Sequence, residues 1–150
     1  MSGVFTSAGS VVSLGDAAPA TYDKAGFEAV TWGVVGEITQ VPEFGRVYTG
    51  SQHKPLASRK TVKRKGSYND GSTTMQYGVD EADTGQASLE ALVDNDADQA
   101  FRIVLQTLKH LYFTAQIMSN PITIGSVDDI TTKSVQLEIT GEVLFEVAPT

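Results

Sequence analysis

Residues 135–147 read VQLEITGEVLFEV. Val135, Leu137, Ile139, Val143, Phe145 and Val147 share one parity, and Gln136, Glu138, Thr140, Glu142 and Glu146 share the other. Successive side chains of an extended chain point to opposite faces, so such a segment buries one face and leaves the other to water or to a partner. The pattern repeats upstream. Phe101, Ile103 and Leu105 oppose Arg102 and Gln106; after a tight turn near Leu108-Lys109, Leu111, Phe113, Ala115 and Ile117 alternate with His110, Tyr112, Thr114 and Gln116. A chain whose final third is built this way is a β protein.

Working back from there, Asp83 is placed to cap a helix, with Gln86 three residues on as its capping-box partner. Leu89, Leu92 and Val93 then fall on one helical face, which predicts a helix over residues 84–94. Asn69-Asp70-Gly71 is a turn signal between two β-like runs and predicts a hairpin of residues 62–68 with residues 73–79. Residues 29–41, AVTWGVVGEITQV, predict a strand in which Gly33 and Gly36 permit a bulge or sharp curvature, stopped by Pro42. Residues 42–66 predict a long basic connection, with a short strand such as Arg46–Tyr48 inside it. Residues 1–20, rich in Ser, Gly and Ala, predict a flexible extended arm. The expected fold is mostly β: a β-sandwich or open barrel with one short packed α-helix, an N-terminal arm (1–20) and a single domain (21–150).

The 150 residues suffice for one hydrophobic core. No cysteine is present, which excludes disulfides, thiolate zinc sites and a cysteine nucleophile. The N-terminus lacks the basic leader of a signal peptide, its first basic residue being Lys24, and no apolar run approaches a membrane span. Asp94, Asp96 and Asp98 open like an EF-hand loop, but Gln99 and Leu105 stand where glycine and glutamate are required. His53 and His110 lack metal-ligand spacing, and neither a GxSxG elbow nor a phosphate-binding GxxxxGK[ST] loop occurs. No catalytic residue, metal or cofactor is expected.

Charge is the informative property. The net charge is −7, yet residues 44–69 carry seven Lys or Arg and no acid, whereas residues 70–98 carry eight acids and no base. A chain polarised in this way suits head-to-tail contact between identical copies. The basic members are Arg46, Lys54, Arg59, Lys60, Lys63, Arg64 and Lys65; the acidic candidates are Asp80, Glu81, Asp83, Asp94, Asp96 and Asp98. Two solvated loops are the plain alternative, and the basic run with Tyr68 also suits a monomeric nucleic-acid-binding β-barrel module.

Several features occur together in order. They are Thr31-Trp32-Gly33-Val34-Val35-Gly36-Glu37-Ile38, then Pro42-Glu43-Phe44-Gly45, then a basic loop ending Lys65-Gly66-Ser67-Tyr68-Asn69-Asp70-Gly71, an acidic turn, a short helix, a hairpin from Phe101 and one long final strand. In this order they resemble the tail tube (major tail) proteins of siphophages, which are similar in fold to the tube subunits of type VI secretion systems. The resemblance implies a virion protein that assembles in the host cytoplasm. It implies hexameric rings stacked into a hollow tube, with tape-measure, tail-tip and terminator proteins as partners and DNA passing through without specific binding. It further implies a loop that bridges rings and a sheet shared between subunits. Glu138, Glu142 and Glu146 are then candidates for a polar wall facing the lumen or a neighbour, and no immunoglobulin-like decoration is expected after Thr150.

Overall fold

The structure is a computed structural model and describes residues 3–146; Val147 lies outside the described residues, and of Glu146 only the backbone is described. In chain order the elements are β1 (Val11–Gly15), α1 (Lys24–Glu28), β2 (Trp32–Val35), β3 (Ile38–Gln40), β4 (Val47–His53), β5 (Val62–Asn69) and β6 (Ser72–Gly78). There follow α2 (Thr84–Ala91), β7 (Gln99–Val104), β8 (His110–Ser119), β9 (Ile122–Thr123), β10 (Thr132–Ile139) and β11 (Leu144–Glu146). Strands β4 and β5 pair only with each other, and the others form one antiparallel nine-stranded sheet.

The order across that sheet, β2-β1-β7-β8-β10-β6-β3, puts β2 and β3 at its two extremes. These strands are consecutive in sequence, separated only by Gly36 and Glu37. The sheet is therefore curled until its edges meet, giving an open barrel whose seam is a single sharp corner. At the corner Glu37 takes the left-handed conformation (φ 62°), a strained one for a residue with a Cβ. The strand expected over residues 29–41 is thus two strands, β2 pairing with β1 and β3 with β6 on either side of the seam.

One helix terminus holds this corner. Asp83 caps α2 through Oδ1, which accepts from Gly85 N at 2.8 Å, while its Oδ2 accepts from Gly36 N at 2.9 Å. Buried Gln86 donates from Nε2 to Gly36 O (3.0 Å) and Gly78 O (2.9 Å), and its Oε1 accepts from Asp80 N (3.0 Å). The cap was legible in sequence, but Gln86 bonds across the barrel seam and to Asp80 instead of back to Asp83. Helix and strand press so closely that a Cβ at Gly85 would come within 1.9 Å of Val34 O. The helix ends at Ala91, earlier than residue 94, and Leu89 anchors it in the core.

Inside the barrel, Val12, Leu14, Val35, Met75, Tyr77, Phe101, Ile103, Leu111, Phe113, Ala115, Ile117, Val135, Leu137 and Ile139 form one buried cluster. The alternating strands of the last third supply most of it. Residues 11–15 are a correction to the expected arm: β1 is hydrogen-bonded on both sides, with Val12, Ser13 and Leu14 buried. Residues 3–10 before β1 and 16–20 after it lie outside any strand, and all eight of the former are exposed.

Two further differences share one cause, the covering of a second strand face. The expected single helix is accompanied by α1, capped by Asp23, whose Oδ1 accepts from Gly26 N at 2.8 Å. Phe27 of α1 is fully buried and stacks on Tyr112 (5.1 Å, 19°) beside Ala100, Trp32 and Leu144. Both faces of β8 at Tyr112 are therefore dry. The long final strand is also interrupted: β10 ends at Ile139 opposite Ala115, and β11 resumes at Leu144 opposite Tyr112. The four residues between them bulge out, and the Tyr22 hydroxyl donates to Glu142 O within that bulge.

Gln86→Ala removes three bonds made by a buried amide, leaving two carbonyls and one N–H to find water. The expected loss is about 2–4 kcal/mol of unfolding free energy. Urea titration followed through Trp32 fluorescence measures it, and a loss below about 1 kcal/mol would mean that packing alone holds the seam.

Candidate functional site

Strand β8 gives the barrel a direction. Near its start gather the β7–β8 turn, the segment from Val41 to Arg46, Asp70 and Phe145; around its far end lie α2 and the loops beside it. The basic residues leave from the first end. Gly45 N donates to Asp70 O (3.3 Å) and closes the root of the β4–β5 hairpin there. The expected pairing of residues 62–68 with 73–79 does not form: the chain bends at Gly71 (φ 74°), β5 pairs with β4, and β6 enters the barrel instead. What the sequence suggested as a long loop is a two-stranded ribbon with seven residues in its first strand.

This hairpin has no core. Every residue of β4 is exposed, and so is β5 apart from the half-buried Val62. Lys54, Arg59 and Lys60 occupy its tip, and Lys63, Arg64 and Lys65 lie on β5, all six exposed. Its root is stiffened by cation–aromatic stacking: Arg46 over Tyr68 (4.3 Å), Lys65 over Tyr48 (4.8 Å) and the two tyrosines together (5.2 Å). Arg46 Nη2 also donates to Glu142 Oε1 at 2.8 Å. Leu56 at the tip is exposed at 106%. The composition of the basic run gave no warning of an apolar residue held out in this way.

The acidic residues gather at the other end. The loops of residues 79–83, 92–98 and 120–131 carry eight carboxylates and no Lys or Arg. Asp80, Glu81, Asp94, Asp96 and Asp98 are exposed there, as are Asp128 and Asp129. Asp83 is the exception among the sequence candidates, because both its oxygens are committed to the corner. Asp129 holds a turn, its Oδ2 accepting from Ser126 N (2.9 Å), and these bonds keep its carboxyl below the usual carboxylate range. Beside these acids stand Ile122, Ile124, Val127 and Ile130, all exposed; alternation could not have marked them, since they lie mostly in a loop. Folding thus turns a charge asymmetry along the sequence into a separation between the two ends of the barrel.

By register Glu138 and Glu146 stand opposite Gln116 and His110, positions of like parity on β8, and Glu142 alone falls outside that row. Glu138 is exposed on β10, Glu142 lies in the bulge with its carboxylate held by Arg46, and Glu146 ends β11 opposite His110 by register. The two histidines are not brought together: His53 is exposed on β4, whereas buried His110 lies 2.8 Å through Nδ1 from the Tyr112 hydroxyl. Desolvation pushes His110 below its ordinary pKa. Among the described residues no group of three or more potential ligands is placed to hold a metal, and no helix is long and apolar enough to cross a membrane. A cavity of about 380 Å³ at the seam, lined by Val12, Ile38, Val41, Phe44 and Ile103 among others, contains no titratable side chain in its lining.

Solved structures with the same arrangement exist. A chain of the anti-feeding prophage baseplate (6-fold symmetrised) superposes with a TM-score of 0.69 at 12% identity, over 100% of both chains. The SPP1 tail tube gives 0.65 at 17% identity, over 94% of this chain and 78% of that one. The tail of an empty gene transfer agent particle, in C6 symmetry, gives 0.63 at 12% identity over 91% and 95%. The fold is that of tail tubes. No family model and no curated protein matches the sequence.

Because the hairpin contributes nothing to the barrel core, replacing residues 48–67 by a short glycine-rich turn should leave the tail-tube fold intact. Thermal unfolding is expected within about 4 °C of the parent, since Arg46, Tyr68 and Glu142 are kept and the loss at stake is the exposed ribbon with its Tyr48–Tyr68 and Lys65–Tyr48 contacts. A collapse of the transition would show the hairpin to be part of the folding unit.

Proposed function

We propose that this chain is a structural subunit of the tail tube of a long, non-contractile phage tail, assembling as stacked homohexameric rings that conduct the genome. The observation that carries the reading is the separation of charge: a basic, coreless hairpin at one end of the barrel and eight carboxylates in the loops at the other. Identical subunits with unlike ends associate head to tail, and a heterologous contact of this kind propagates into a filament. The likeness to tail and baseplate chains solved in sixfold symmetry supports rings of six.

In this reading Lys54, Arg59, Lys60, Lys63, Arg64 and Lys65 of one ring meet Asp80, Glu81, Asp94, Asp96 and Asp98 of the next. Asp83 takes no part, being the structural cap. Glu138 and Glu146 belong to a polar wall facing the lumen or a neighbouring subunit. The acidic surplus of the chain keeps phosphates from adhering as DNA passes. Tape-measure, tail-tip and terminator proteins are the remaining partners. A tube from a contractile particle is the second reading, favoured by the likeness to the sheath/tube terminator of an extracellular contractile injection system (TM-score 0.64, 14% identity).

Limited trypsin digestion tests the stacking contact. The free subunit should be cut rapidly after Arg59, Lys60, Lys63, Arg64 and Lys65, whereas assembled tubes should resist. Rising salt should restore cutting as screening loosens the contact, the Debye length shrinking from about 10 Å at 0.1 M to about 3 Å at 1 M. Equal cleavage of free and assembled protein would remove the hairpin from the ring contact and favour nucleic-acid binding by the basic run.

A further inference from the structure

Arg102 stands apart from the other cations of the barrel. It lies on the outward face of β7, between Ser13 of β1 and Tyr112 of β8 in register. Its guanidinium covers the Trp32 ring at 5.1 Å, and its Nη2 makes one long bond to Ser13 Oγ (3.4 Å). Its Nε is sealed from solvent with no hydrogen-bond partner. No carboxylate pairs with it among the described residues. A half-buried guanidinium without an anion is costly, because lost hydration is not returned. Around it, Val11 and Val34 are exposed and Val104 is half-buried. An arginine over a tryptophan inside an apolar rim has the composition of a protein–protein contact.

The anion that this site lacks is present on another face of the same chain. The outward positions of β6 and β10 are Ser72, Thr74, Gln76 and Gly78, and Thr132, Ser134, Gln136 and Glu138. Glu138 is the one charge among those eight, exposed and without an ion pair among the described residues. It cannot serve Arg102 of its own chain, because β8 lies between β7 and β10 and Arg102 leans the other way, over Trp32.

Their heights also agree. Arg102 registers with Tyr112 and Glu138 with Gln116, four residues further along β8. The strands are staggered in the same sense: Val35 registers through Val12 and Ile103 with Leu111, whereas Ile38, across the seam, registers through Tyr77 and Lys133 with Ile122. In a barrel with such stagger, the two side chains lie at similar levels along the axis. Copies related by rotation about a ring axis meet at equal height, and each offers one flank to the other flank of the next.

We propose that the outward face of β2, β1 and β7 is the lateral docking surface for a second copy of this chain, with Arg102 receiving Glu138 of the neighbour in the ring. The inference rests on the ring assembly proposed above and assigns its lateral contact, which is separate from the contact between rings. The neighbour's carboxylate supplies the charge that Arg102 lacks, and the polar face of β6 and β10 closes over Val11 and Val34.

Charge reversal tests the pair. Arg102→Glu, Glu138→Arg and the double variant are compared with the parent by sedimentation and negative-stain imaging, and circular dichroism confirms folding. Each single variant should raise the concentration needed for rings by at least about tenfold, as like charges meet. The double variant should restore assembly. Glu138 is exposed, so Glu138→Arg reports even if Arg102→Glu folds poorly. Rings formed by Glu138→Arg at the parental concentration would overturn the pairing, as would a folded double variant that stays monomeric. If the parent itself forms no rings at any concentration, the tail-tube reading falls and takes this inference with it.

Discussion

The two carboxylate oxygens of Asp83 serve two different structures. One ends the hydrogen-bonding deficit at the start of α2; the other takes the N–H of Gly36 at the point where the sheet's two edges meet. Gln86, one turn further on, ties the carbonyls on both sides of that seam. A seven-strand path whose terminal strands are joined by two residues has no freedom to stay flat, and its closure needs polar groups satisfied where the ladder breaks. The helix terminus provides them. A Cβ on Gly36 would approach Asp83 Oδ2 to 2.1 Å, so a larger residue there would displace the carboxylate from the corner.

Closure in turn decides where charge goes. With the barrel shut by α2 and the acidic loops at one end, the segment from Val41 to Asp70 is left to emerge at the other. It carries only exposed residues through β4, and its cations have no acid within their own ribbon. The surface ion pair Arg46–Glu142 at the root is a weak tether, typical of exposed pairs at about 0–1 kcal/mol. The body and the hairpin thus have separate sources of order: apolar burial for the barrel, and cross-strand pairing with a tyrosine–cation stack for the ribbon. A chain with unlike ends has what the proposed head-to-tail assembly requires.

Much of the core was legible because its code is local. Val135, Leu137 and Ile139, like Leu111, Phe113, Ala115 and Ile117, declare a buried face by alternation alone, and all seven lie in the main cluster. Asp83 announced the helix start through its residue type. Other features carried no such local code. Residues 11–15 looked like an arm because VVSLG is short and flanked by small residues, yet β2 and β7 flank it on both sides. Helix α1 is five residues long, too short for a helical period to register. The Asn69-Asp70-Gly71 turn is of a kind that joins paired strands, yet β5 pairs with β4, which composition hides inside a basic loop.

By itself the sequence determined the class of protein: a cysteine-free β domain with an amphipathic final third, one capped helix, and opposite charges in adjacent segments. Those properties follow from residue type and spacing of two, three or four, which act over a few residues. The tertiary structure alone decided which strands pair, and therefore that Asp83 is a structural clamp, that Glu142 is spent on Arg46, and that Arg102 has no paired carboxylate among the described residues. Each of these depends on residues brought together from distant parts of the chain. Such juxtapositions are set by the closure of the barrel, and no local pattern records them.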